Sequence, residues 1–179
     1  IYKTVYAWMG RFRGGLAMAT ICACAGFAAV CGSSLATGAT MGMVAIPEMD
    51  KYKYNQRLST GCVAAGGTLG ILIPPSIGFV IYGILTQESI GRLFMAGILP
   101  GILLALLFIL TIYVQCLLDP KMGPRGASTT WKEKIRSLSG TWGILCLIFL
   151  VMGGLYLGIV TPTEAAGVGA FGSFVIALV

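Results

Sequence analysis

Long apolar runs alternate with short basic clusters along this chain, and the alternation predicts helices laid back and forth across a lipid bilayer. The basic residues gather in three groups: Lys3, Arg11 and Arg13; then Lys51, Lys53 and Arg57; then Lys121, Arg125, Lys132, Lys134 and Arg136. A spanning helix needs about 20 apolar residues, and cytoplasmic loops collect Lys and Arg, so all three groups are expected on the cytoplasmic side. Between the second and third groups lie apolar stretches at 58–86 and 93–118, joined by a short link in which Glu88 and Arg92 cancel. They read as one crossing out and one back.

Residues 16–47 behave differently, because basic groups flank both ends and an odd number of crossings would strand one of them on the wrong side. Two full crossings need about 40 apolar residues plus a turn. This stretch has roughly 30, interrupted at Cys31-Gly32-Ser33-Ser34. The economical solution is a re-entrant helical hairpin, with its tip at membrane depth, where irregular backbone is tolerated if it is buried in protein or lines a wet cavity. Residues 1–15 then form a cytoplasmic or interfacial lead-in and 48–57 a cytoplasmic link.

Beyond the third basic group, residues 140–160 cross outward and 161–179 hold a periplasmic turn and the start of the next spanning helix. In Thr161-Pro162-Thr163-Glu164 the Thr at the cap, Pro at the first helical position and following Glu fit a capping box. Residues 119–139 form a basic cytoplasmic loop, and Trp131 within it suits either a short interfacial helix or a flexible segment. Pro100, set between Gly97 and Gly101, allows an interfacial piece followed by a spanning helix or one kinked helix.

Composition agrees with the pattern. A chain of 179 residues that is 57% hydrophobic and 10% charged, with a mean hydropathy of +0.91, lacks the polar surface to coat a water-soluble globule. The expected fold class is an all-α integral membrane protein in a multi-pass arrangement. Starting at Ile1 and stopping at Val179 inside an apolar run, the chain reads as an excerpt of a longer one. The net charge of +6 follows the loops and forms no stripe with interleaved aromatics, which argues against nucleic-acid binding. Cys22, Cys24, Cys31, Cys62, Cys116 and Cys146 lie in or beside apolar runs without metal-ligand spacing, and the chain has no His, so they read as small buried hydrophobes.

Two places break the helical pattern in a way that suits chemistry. The hairpin tip, Gly32-Ser33-Ser34-Leu35-Ala36-Thr37-Gly38, joins permissive glycines to three hydroxyls that can act as oxygen ligands. The second, from Gly66 to Ser76, contains Gly66, Gly67, Thr68 and Gly70 before Pro74 and Pro75, each of which lacks a backbone donor and frees a carbonyl one turn earlier. Discontinuous helices of this kind build sites in secondary transporters: unwound carbonyls coordinate Na⁺ and half-helix N-termini attract anionic substrates. Those N-termini are expected near Thr37 and Ser76. Close helix packing through Gly38 and Gly42 is the structural alternative. Every carboxylate lies at a segment end or in a loop, which favours Na⁺ over an intramembrane proton relay.

At these motifs the chain resembles the large membrane subunit of the tripartite ATP-independent periplasmic (TRAP) transporters, also called the M subunit or dicarboxylate permease large subunit. The resemblance rests on Arg13-Gly14-Gly15-Leu16-Ala17, Gly32-Ser33-Ser34-Leu35-Ala36-Thr37, Ile46-Pro47-Glu48-Met49, Gly67-Thr68-Leu69-Gly70-Ile71-Leu72-Ile73-Pro74-Pro75-Ser76, Leu93-Phe94-Met95-Ala96-Gly97-Ile98-Leu99-Pro100-Gly101 and Thr161-Pro162-Thr163-Glu164-Ala165, in that order. It implies an elevator-type importer of inverted repeats in the bacterial inner membrane, coupled to Na⁺ and using no other cofactor. It also implies a small membrane subunit, separate or fused, and a soluble periplasmic binding protein that delivers an organic acid such as a C4-dicarboxylate or sialic acid. By similarity, Gly32, Ser33, Ser34, Gly67, Thr68 and Gly70 surround a Na⁺, and Ser34, Thr37, Pro74, Pro75 and Ser76 lie near substrate.

A Na⁺- or H⁺-coupled anion symporter of related architecture without a binding protein is the principal rival, since fold does not fix the partner. An ion channel is a second. An enzyme is disfavoured, because no nucleophile stands beside a plausible base.

Overall fold

The computed structural model describes residues 13–124 and 142–178, which form seven helices and, among the described residues, no strand. The first two make a helical hairpin: α1 (Gly15–Cys31) and α2 (Ser34–Lys51), joined by Gly32 and Ser33. Gly32 turns the chain at φ 63°, a left-handed conformation that favours glycine, and its N–H donates to the Ala28 carbonyl to close α1. Ser33 then caps α2 by accepting from the Ala36 N–H.

Next come α3 (Gln56–Leu72) and α4 (Ile77–Thr86), separated by a short non-helical segment containing a cis peptide bond between Pro74 and Pro75. α3 lies against both arms of the hairpin, and small residues set the approach. A Cβ at Gly66 would meet the Cys24 sulfur on α1 at 2.6 Å, and one at Gly67 would meet the Gly38 Cα on α2 at 3.2 Å. Gly38 therefore serves the close packing that the sequence offered as its structural role. Leu16, Ile21, Met49, Leu58 and Leu69 fill the core between these three helices.

The antiparallel helix α5 (Ile90–Leu118) runs the whole height of this assembly. Residues 90–118 are one continuous helix with Pro100 inside it, so there is no separate interfacial piece before a spanning one. Along α5 the neighbours change in order: Gly83 on α4 packs at Ile90 and Leu93, Leu72 and Ile73 at Gly97 and Gly101, and Gly14 at Ile112 and Cys116. Used as a ruler at 1.5 Å per residue, α5 places the break about 25 Å from the end near Cys116 and about 13 Å from the end at Ile90.

At the Cys116 end several strands of chain are tied together, a region called the base below. The Gly14 N–H donates to the Gly123 carbonyl at 3.0 Å and the Asn55 N–H to the Met122 carbonyl at 3.0 Å. The Tyr54 hydroxyl donates to the Pro124 carbonyl at 2.9 Å while accepting from the Leu16 N–H at 3.2 Å. Described members of all three basic groups, Arg13, Lys51, Lys53, Arg57 and Lys121, thus belong to segments that meet at the base.

α6 (Trp142–Tyr156) and α7 (Pro162–Leu178) pair with each other. Their turn contains the reciprocal capping box: the Thr161 N–H and hydroxyl donate to Glu164 Oε2 at 2.7 and 2.8 Å, and the Glu164 N–H donates to Thr161 Oγ1 at 3.3 Å. The α3–α4 segment and α5 are each long and apolar enough to cross a membrane. α1 and part of α6 are apolar but shorter. Large apolar side chains such as Leu99, Leu103, Leu106, Leu110 and Leu118 point outward from α5. The expectations for residues 1–12 and for the basic loop around Trp131 lie outside the described residues.

Candidate functional site

The two broken places touch, through residues 33 to 45 positions apart in sequence. Gly32 at the hairpin tip accepts a hydrogen bond through its carbonyl from the Ile77 N–H at 3.2 Å, and a Cβ on Gly32 would lie 2.7 Å from the Pro75 carbonyl oxygen. One turn below, a Cβ on Gly70 would sit 2.7 Å from the Ser34 nitrogen and 2.8 Å from the Ser33 carbonyl carbon. A Cβ on Gly67 would be 3.4 Å from the Ser34 carbonyl oxygen. Gly32, Ser33, Ser34, Gly67, Gly70 and Pro75 therefore form one junction, with backbone against backbone.

The break itself is shorter than the glycine-rich motif that announces it. α3 continues through Leu72, so Gly66, Gly67 and Gly70 are helical residues that supply a flat contact face, and only residues 73–76 leave the helix. Helical geometry then separates Thr68 from its neighbours, since adjacent residues point about 100° apart. Thr68 is exposed, and its hydroxyl donates to the Ala65 carbonyl at 2.7 Å in its own helix. Among the proposed Na⁺ residues, Thr68 is the one whose side chain leaves the tip.

Pro75 leaves the Ile71 carbonyl without the N–H donor that an unbroken helix would provide. Ser76 repairs that loss: its buried hydroxyl donates to the Ile71 carbonyl at 2.6 Å and makes no cap hydrogen bond to α4. By the same rule Pro74 deprives the Gly70 carbonyl of its helical donor, at the point where Gly70 meets Ser33 and Ser34. The sequence signal for these oxygens is the Pro-Pro pair itself.

Two helix N-termini converge here. α2 begins at Ser34, not near Thr37. Thr37 lies one turn inside, fully buried, with its hydroxyl donating to the Ser33 carbonyl at 2.7 Å. α4 begins at Ile77, whose N–H reaches Gly32, while the next two N–H groups precede the first intrahelical bond, from Val80 to Ser76. Each terminus carries the positive end of a helix dipole. The described carboxylates Glu48, Asp50, Glu88, Asp119 and Glu164 occupy helix ends and links, so the junction combines backbone oxygens, hydroxyls and dipole ends without an acidic side chain among the described residues.

Other chemistry is muted. Cys24, Cys62 and Cys116 are buried, Cys22 and Cys31 partly so, and Cys146 is exposed, which limits the reading as buried hydrophobes to the first three. No cluster of His, Cys, Asp or Glu able to hold a metal occurs among the described residues. Tyr54, which the sequence pattern left unmarked, is the principal buried polar device outside the junction. Burial pushes its phenol up to about 12, against the lowering effect of the Leu16 N–H.

Comparison with known proteins places this geometry. The chain matches the family described as "Tripartite ATP-independent periplasmic transporter, DctM component" over residues 1–179. It is 44% identical over 178 residues to the C4-dicarboxylate TRAP transporter large permease protein DctM of Vibrio cholerae, covering 99% of this chain and 39% of that one. It is 39% identical over 178 residues to the isethionate TRAP transporter permease protein DctMQ of Oleidesulfovibrio alaskensis, covering 94% and 26%. It is 32% identical over 177 residues to the sialic acid TRAP transporter permease protein SiaT of Haemophilus influenzae, covering 98% and 28%. The chain spans about two fifths or less of the length of these relatives. With the match running end to end and the motif blocks meeting at one junction, the chain belongs to the DctM component family of tripartite ATP-independent periplasmic transporters.

Proposed function

We propose that this chain is the part of a large permease subunit that carries one half of the coupling site of a Na⁺-driven, binding-protein-dependent importer of organic acids. The observation that carries the reading is the contact of the hairpin tip with the Pro-Pro break, which gathers oxygens and two helix N-termini at one place. Gly32, Ser33, Ser34, Gly67 and Gly70 line the Na⁺ side, with Thr68 contributing through its backbone. Ser34, Thr37, Pro74, Pro75 and Ser76 stand towards substrate, Thr37 and Ser76 chiefly by holding the two helix starts in place.

Support for a re-entrant hairpin comes from the α5 ruler. The tip stops at the level of Gly97 and Gly101, while α4 continues for ten residues, about 15 Å, beyond it. The base, where the basic segments meet, is then cytoplasmic, and the tip lies at membrane depth in the inner membrane. The same reading includes an elevator motion, a small membrane subunit and a soluble periplasmic binding protein, in keeping with the tripartite family to which the chain belongs. The relatives named for C4-dicarboxylates, sialic acid and isethionate point to a carboxylate or sulfonate group as the common feature, which suits helix N-termini.

The test is uptake by the full-length subunit, reconstituted in liposomes with its small subunit and binding protein, with and without an inward Na⁺ gradient. Ser33→Ala removes a candidate oxygen and the α2 cap, whereas Thr68→Ala removes a hydroxyl that already faces away. The reading expects Na⁺-dependent uptake, a raised Na⁺ requirement in Ser33→Ala and near-normal behaviour in Thr68→Ala. Uptake independent of Na⁺, or a wild-type Na⁺ requirement in Ser33→Ala, would overturn it.

A further inference from the structure

A groove of about 380 Å³ runs between α3 and α5 on the side of the assembly away from the hairpin tip. Its walls are apolar over most of their length, with Gly61 and Ala65 of α3 facing Phe108 and Ile112 of α5. The charged group lies at one end. There Arg57 and Gln115 line the mouth, next to Met122, which ties this end to the base through the Asn55 N–H, while Thr111, beside Ile112 in the wall, donates its hydroxyl to the Leu107 carbonyl of its own helix.

Asp119, one turn beyond Gln115, is the carboxylate that α5 brings towards this mouth, and its Oδ1 accepts from the Lys121 N–H at 3.0 Å. Among the described residues the one ion pair joins Lys51 to Glu48, which leaves the exposed Arg57 guanidinium outside any ion pair. Lys121 adjoins Met122 in sequence, and Lys53 lies two residues before Asn55, so further positive charge stands near the same end. From Arg57 to Ala65 the groove follows α3 for about 12 Å. A guanidinium over a hydrocarbon-walled slot matches an amphiphile with an anionic head, since Arg offers paired donors to a phosphate and apolar walls accommodate a chain. Leu107, Leu110 and Val114 of α5 are also exposed, so the groove opens on an apolar surface of the kind that lipid covers.

We infer that the α3–α5 groove is a binding site for an anionic phospholipid of the cytoplasmic leaflet, with its phosphate at Arg57 and Gln115 and the start of one acyl chain against Gly61 and Ala65. Basic pockets between membrane helices on the cytoplasmic side bind such headgroups. The site lies about 20 Å below the tip junction along α3, a separation given by the residues between Arg57 and Gly70 at 1.5 Å each. The inference needs the membrane setting but not Na⁺ coupling, so it stands or falls apart from the transport reading.

Gly61 makes the test clean, because a Cβ there meets nothing within 4 Å, unlike one at Gly66 or Gly70. Gly61→Leu fills the slot, Arg57→Gln removes the charge, and Gly153→Leu, also in open space, serves as a control. The full-length subunit with its small subunit is placed in nanodiscs of phosphatidylcholine with a graded share of phosphatidylglycerol, then released and weighed by native mass spectrometry. Wild type and Gly153→Leu are expected to retain phosphatidylglycerol over phosphatidylcholine. Arg57→Gln is expected to lose that preference by about tenfold, the equivalent of roughly 1.4 kcal/mol, and Gly61→Leu to lose both lipids. A photo-crosslinker at position 61 is expected to give a lipid adduct. Equal retention of the two lipids by wild type, unchanged retention in both variants, or an adduct to a protein segment would each overturn the assignment.

Discussion

The tip junction and the base hold the same helices together by opposite means. At the tip, contact is made by backbone on backbone through Gly32, Gly67 and Gly70, with one hydrogen bond, from Ile77 to Gly32, crossing between the two breaks. At the base, Tyr54 bridges two segments and backbone hydrogen bonds join Gly14 to Gly123 and Asn55 to Met122. The base pairs the Tyr54 hydroxyl and the N–H groups of Gly14, Leu16 and Asn55 internally. The tip leaves carbonyls and N–H groups that helices would normally pair, which is the condition for binding an ion.

The comparison is broken most severely at Gly70. Gly70→Ala puts a methyl 2.7 to 2.8 Å from the backbone of Ser33 and Ser34. Neither can yield as a flexible side chain does, so the tip must shift at a cost of about 1–3 kcal/mol. If the proposed Na⁺ coupling holds, uptake by the full-length subunit is expected to fall by about tenfold or more, each factor of ten corresponding to about 1.4 kcal/mol. Gly32→Ala follows: it meets the Pro75 carbonyl at 2.7 Å and must hold φ 63°. The left-handed conformation alone costs about 1–2 kcal/mol. Thermal unfolding should register it together with a raised Na⁺ requirement.

Tyr54→Phe sharpens the contrast from the other end. It removes the donor to Pro124 and the acceptor for Leu16, and leaving buried groups unpaired costs about 1–3 kcal/mol. Stability should drop while the Na⁺ concentration for half-maximal uptake stays within about twofold, a difference below about 0.5 kcal/mol. The same residue predicts an alkaline limb. Because burial raises the folded-state value to about 12, the neutral phenol favours folding fully below about pH 10, the ordinary tyrosine value, and that contribution is lost as pH rises towards about 12. A pH series of thermal melts should show the limb in wild type and a weaker one in Tyr54→Phe.

The smallest effect is expected at the exposed α6–α7 turn. Glu164 is held below the usual carboxylate range by the Thr161 N–H first and the Thr161 hydroxyl second. Its contribution is present above the ordinary carboxylate value and lost as pH falls through the depressed one. Thr161→Ala should lower stability slightly and leave Na⁺ dependence unchanged, as read by melts and uptake side by side.

How much of this was readable in advance depends on the range of the interaction. Residue-by-residue signals identified the helical segments, the Gly32–Ser33 turn, the Pro-Pro interruption and the Thr161–Glu164 cap, because each depends on conformational preference or hydrogen bonding within a few residues. The same signals overstated the break, since glycines in the Gly66–Ser76 motif look like unwinding until a partner surface shows them to be a contact face within α3. They also grouped Thr68 with Gly67 and Gly70 and set the α2 start near Thr37, because spacing along a motif does not give direction around a helix. Tyr54 carried no signal, for its partners, Leu16 and Pro124, lie 38 and 70 positions away.

By itself, then, the sequence determined which segments are helical and apolar, that the chain turns at Gly32–Ser33 and breaks at Pro74–Pro75, and which family's blocks the chain carries, although α2 runs through Pro47 to Lys51 and so takes in the start of the link expected at 48–57. Those properties follow from local backbone chemistry and from the match between apolar length and bilayer thickness. Only the tertiary structure decided that the tip meets the break, that Gly67 and Gly70 face the tip while Thr68 does not, and that the base is sealed by Tyr54. Such contacts join residues distant in sequence, and their geometry is set by how closely two helices can approach when no Cβ stands between them.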